Sequence, residues 1–66
     1  MCRNVVEICD PQTQEWWVCA RFRTNGDTWW FADHLRRHGC RVKVTIRMGK
    51  HTRVQVLEPV KSEEAA

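Results

Sequence analysis

His34 and His38 stand four residues apart, Cys40 follows shortly after, and Cys9 and Cys19 lie upstream. On a helix, a spacing of four puts both imidazoles on one face, as a metal-binding pair requires. A closed structural zinc site needs four ligands. Cys9 and Cys19 are too far apart in sequence for the first ligand pair of a zinc finger, and strand alternation turns them away from the helix. The set reads more simply as two helical histidines and thiols packed as small hydrophobes, so no metal or cofactor is expected. His34, His38 and His51, with Lys50 and Arg53, include the residue types of a ribonuclease's acid, base and phosphate clamp. A solvated basic turn is the simpler account of His51 and Lys50 and is preferred. The sole serine, Ser62, sits in the tail, Asp33 and Glu58 form no recognisable carboxylate pair, and no glycine-rich phosphate loop is present. The chain is not expected to be an enzyme.

A second pattern points to binding. Arg41, Lys43, Thr45 and Arg47 alternate with Val42, Val44, Ile46 and Met48. Period-two alternation sends one set of side chains to a core and the other to water or a partner. The following stretch repeats it, with Val54 and Val56 expected inward and Arg53, Gln55 and Leu57 outward. A three-residue loop of Gly49, Lys50 and His51 would pair Ile46 with Val54 and Val44 with Val56.

The elements that must carry these residues follow from local pattern. Arg3 to Cys9 reads as a strand, Asp10-Pro11 as a turn, and Glu15 to Arg23 as a second strand. Trp16, Val18, Ala20 and Phe22 would share a face with Val6 and Ile8. Thr24-Asn25-Gly26-Asp27 breaks the strand, and Asp27 or Thr28 can cap a helix running through TWWFADHLRRHG. Phe31, Leu35 and His38 form its stripe, flanked by Trp30 and His34, and Gly39 suits the left-handed position that ends it. CRVKVTIRM and TRVQVLE are the last two strands. The expected core is Val6, Ile8, Trp16, Val18, Phe22, Phe31, Leu35, Val42, Val44, Ile46, Val54 and Val56.

The fold class expected is therefore α+β: ββαββ, a four-stranded antiparallel sheet with one helix packed on one face. Residues 1–59 would form this single domain and 60–66 a loose tail. The uncovered face would carry Arg21, Arg23, Arg41, Lys43, Arg47, Arg53 and Gln55, together with Thr45 and Trp17. Such a surface suits DNA or RNA, since Arg and Lys neutralise phosphates and an exposed Trp stacks on bases. The plainer account is that outward strand positions are commonly basic for solubility and edge protection.

The chain has 66 residues, a net charge of +3 and four tryptophans. A core this small is marginal alone, which favours self-association as a homodimer. Neighbours on a strand face opposite ways, so Trp16 and Trp17 cannot share a core. Trp17 and Trp29 are candidate interface anchors, with Trp16 and Trp30 assigned to the core. A second function class is then a protein-binding module, an inhibitor or adaptor of the kind phages and mobile elements encode. No leader pattern and no run long enough to span a bilayer is visible, so a cytoplasmic protein with reduced cysteines is expected. In element order, with ADHLRRHGCRVKV as helix and following strand, the chain resembles the swapped-hairpin dimeric transcription regulators and antitoxins. It lacks their Ile-Pro lead-in to the helix and the Gly-Asp before the next strand. The resemblance implies an intertwined DNA-binding dimer.

Overall fold

The computed structural model describes residues 4–60. It contains β1 (Asn4–Cys9), β2 (Trp16–Phe22), α1 (Asn25–Arg37), β3 (Val42–Met48) and β4 (His51–Leu57). The strands form one antiparallel sheet in the order β2-β1-β3-β4, with α1 packed on one face. This is the ββαββ α+β arrangement expected. Because β2 and β3 both run against β1, α1 connects two parallel strands and passes over β1 between them.

The core lies between α1 and the two central strands. Val6, Val42, Val44, Ile46 and Ala32 are buried, and Phe22, Trp29, Phe31, Leu35, Cys40 and Leu57 pack around them. Val6 stands opposite Val44, and Ile8 opposite Val42, so β1 and β3 present one apolar surface to the helix. Ala32 sits at its centre, where a small side chain lets the helix approach closely. The Phe22 and Phe31 rings meet at 5.4 Å and join the helix to the β2 side.

Both helix ends are closed by identifiable groups. Thr24, not Asp27 or Thr28, is the N-cap: its backbone is extended and its hydroxyl accepts from the Asp27 N–H at 3.3 Å. Thr28 instead donates its hydroxyl to the Thr24 carbonyl at 2.7 Å and accepts from the buried Asn4 amide at 3.0 Å. The same Asn4 nitrogen donates to Asn25 at 2.9 Å, which ties β1 to the first turn of the helix. At the other end Gly39 has φ of 88°, as expected. Its N–H reaches the Arg36 carbonyl, and the Cys40 N–H reaches that of Leu35, the paired bonds of a Schellman motif. The Val60 N–H also donates to the Arg36 carbonyl at 2.8 Å, so the described chain stays in contact one residue past Pro59. The rest of the expected tail, and Arg3, lie outside the described residues.

Two register features depart from simple alternation. In β2 the pairing passes from Ala20 opposite Val6 to Val18 opposite Glu7, leaving Cys19 as a bulge. Every residue before it is thereby turned to the other face. Trp17 stands opposite Ile8 on the helix side, and Trp16 and Val18 lie on the uncovered side, reversing the expected placement of all three. At the second hairpin, Met48 pairs with His51 around a two-residue loop, Gly49-Lys50. Gly49 has φ of 63° and Lys50 has no positive φ, which fits a tight turn with glycine in its first central position. Shortening the loop by one residue turns β4 over. Val54 and Val56 therefore leave the core for the uncovered face, while Arg53 and Gln55 move to the helix side, opposite Ile46 and Val44.

Candidate functional site: the uncovered sheet face

The face away from α1 is built in cross-strand rows. Its middle row runs Val18, Glu7, Lys43, Val56 from β2 to β4. The next row runs Arg21, Val5, Thr45, Val54. Trp16 begins the row beyond Val18, opposite Cys9, and Arg47 stands opposite Thr52 at the far end of β3. The Lys43 ammonium lies 4.5 Å from the centre of the Trp16 ring, a cation–π contact reaching across β1. Among the described residues, neither Glu7 nor Lys43 belongs to an ion pair. Val18 on one edge strand and Val54 and Val56 on the other are 53%, 55% and 45% exposed on this face.

The expected basic residues are divided by this geometry. Arg21, Lys43 and Arg47 share the uncovered face. Arg23 is exposed just past the end of β2. Arg41 precedes β3 and is bound to Glu58, its Nη2 2.9 Å and its Nε 3.2 Å from one carboxylate oxygen. Arg53 and Gln55 are exposed on the helix side of β4 and belong to a different surface. The face is thus less basic and more apolar than alternation alone implied. Glycine leading a two-residue turn was the legible signal for the β4 register; nothing local in WWVCARF marks the bulge.

The tryptophans sort differently from expectation. Trp17 is 55% exposed, on the helix side of the β2 edge. Trp29 is half-buried against the core, and Trp30 is 70% exposed, the reverse of their expected roles. At about 100° per residue, the stripe of Thr28 and Ala32 that meets the sheet leaves Trp30 on the outer side. There Trp30 stacks on His34 at 5.8 Å, and His34 meets the His38 ring edge-on at 4.6 Å. No group of three or more potential metal ligands occurs among the described residues. His38 and His51 lie toward opposite ends of β3, so the histidines are not gathered into one site.

One shallow cleft, of about 390 Å³, lies where β1, the end of α1 and the chain after β4 meet. Cys9, Gln14, Cys40, Arg41, Glu58 and Pro59 are among its lining residues. Its two charged side chains are the Arg41–Glu58 pair and are bound to each other. No described helix is long and apolar enough to cross a membrane. Comparison with protein-family models, with curated proteins and with solved structures finds no match for this chain.

Proposed function

We propose that this chain is a small protein-binding module, an inhibitor or adaptor, whose working surface is the uncovered sheet face and which associates with itself. The observation that carries the reading is the β4 register, which puts Val54 and Val56 at one edge of the uncovered face, with Val18 and Trp16 at the other. Branched aliphatic side chains gain little from phosphates or water and gain much from an apolar partner. Arg21, Lys43 and Arg47 share that face, and Glu7 and Lys43 stand between its two apolar edges. The unpaired Cys9, Cys19 and Cys40 fit a reducing compartment such as the cytoplasm.

A second reading rests on a separate observation. Arg21, Lys43 and Arg47 do lie on the same uncovered face, with Trp16 beside Lys43, which is the composition of a nucleic-acid surface. Purification under mild conditions from the native source discriminates the two. A stoichiometric protein, or a second copy of the chain, should be retained by the parent and by Arg53→Glu and lost by Val54→Glu/Val56→Glu. Nucleic acid carried by the parent and lost by the Arg21, Lys43, Arg47→Gln variant upholds the second reading instead. If the parent carries neither, both readings fail.

A further inference from the structure

We infer that the uncovered sheet face binds a second copy of this chain face to face, about a two-fold axis parallel to the strands and passing between β1 and β3. The inference rests on the protein-binding reading of that face and names its occupant.

Across the middle row the side chains run Val18, Glu7, Lys43, Val56. The row is apolar at both ends and carries one acid and one base at its centre. A two-fold axis along the strands, between β1 and β3, lays β1 over the partner's β3 and β2 over the partner's β4. Glu7 of one copy then faces Lys43 of the other, and Val18 faces Val56. Each contact occurs twice, as an isologous interface requires. In the next row Val5 faces Thr45, and the aliphatic stem of Arg21 lies along Val54. The sheets keep their strands within about 30° of one another, so rows near the axis stay in register.

The alternative in-plane axis, across the strands, lays each strand over itself. It brings Glu7 toward Glu7 and Lys43 toward Lys43, and facing like charges is costly. Charge therefore selects between the two possible symmetries. The state of the single chain points the same way. Glu7 and Lys43 are direct cross-strand neighbours on a half-covered surface, neither has a described ion-pair partner, and the Lys43 ammonium rests on the Trp16 ring. Trp17, the anchor that alternation suggested for a dimer, is on the helix side and takes no part.

Four strands of six or seven residues make a face about 20 Å on a side. That is at the small end of specific interfaces, so dissociation in the micromolar range is expected.

The test uses full-length chains in sedimentation equilibrium over a concentration series. The parent is expected to be dimeric in the upper micromolar range. Glu7→Lys places Lys against Lys across the axis, and Lys43→Glu places Glu against Glu. Each variant alone should dimerise about tenfold more weakly or worse. Mixing the two in equal amounts should restore a dimer at least as tight as the parent's, because both facing pairs are then of opposite charge. Mixing leaves the pairing inside each chain unchanged, so recovery cannot come from repaired folding. Failure of the mixture to recover, or single variants as dimeric as the parent, overturns the inference. If Val54→Asp/Val56→Asp nonetheless dissociates the parent dimer, the uncovered face is still the interface and only this pairing is wrong. A parent that stays monomeric at millimolar concentration also overturns the inference, while a different protein retained through Val54 and Val56 leaves the broader reading standing.

Discussion

Asn4 is 2% exposed, and its side-chain nitrogen donates to Asn25 at 2.9 Å and to Thr28 at 3.0 Å. The orientation of that amide is settled by its neighbours. The Thr28 hydroxyl gives its own proton to the Thr24 carbonyl and so presents only lone pairs to Asn4. Asn4→Asp keeps the shape but replaces the donor nitrogen by a carboxylate oxygen, facing two acceptor oxygens. At neutral pH the variant loses both bonds and buries an unpaired charge, a loss of about 3–5 kcal/mol. A chain of this length is expected to have a total stability of about 3–10 kcal/mol, so much of it goes. Burial and the facing oxygens raise the folded-state pKa of the introduced carboxyl group above its unfolded value of about 3.9. The variant is therefore least impaired below about pH 4, where the protonated acid can donate one bond, and the deficit grows as pH rises from the unfolded-state value towards the folded-state one. Asn4→Ala, with no charge, should lose about 1–3 kcal/mol at every pH. Urea unfolding of parent and both variants from pH 3 to pH 7, followed by tryptophan fluorescence, measures the differences. An aspartate variant within about 1 kcal/mol of the parent at pH 7, or a deficit that does not narrow in acid, would refute this account of the network.

Three further outcomes are expected. Deleting Cys19 should leave a folded protein with Lys43 still on Trp16, because it removes the bulge without turning any other side chain over; deleting Thr45 from regular β3 should abolish folding, as circular dichroism would show. Gly39→Ala should lose about 1–2 kcal/mol because an alanine side chain is strained at φ of 88°, and thermal melting should reveal a drop of several degrees. Glu58→Gln should change stability by less than about 1 kcal/mol, since both partners of its bond to Arg41 are substantially exposed, and the effect should vanish in high salt.

The elements and the heart of the core were legible in the residues alone. Val42, Val44 and Ile46 could face only one way together, Gly39 could only end the helix, and Asp10-Pro11 could only turn the chain. The β4 register was also present in the sequence, in the preference of glycine for the first position of a two-residue turn, but a three-residue loop preserved an attractive alternation of Val54 and Val56 and hid it. The rest depended on long-range packing. A period of two carries no mark of a single inserted residue, so the bulge at Cys19, and with it the exchange of Trp16 and Trp17, follows from how β2 packs on β1 rather than from local preference. Trp29 and Trp30 have equal claims to a helix's apolar face until Thr28 and Ala32 are seen to make the close contact with the sheet. The composition of the uncovered face depends on both decisions. The shorter loop turns all of β4 over and the bulge turns Trp16 to Val18, and together they put apolar residues at both edges of a face that keeps Arg21, Lys43 and Arg47.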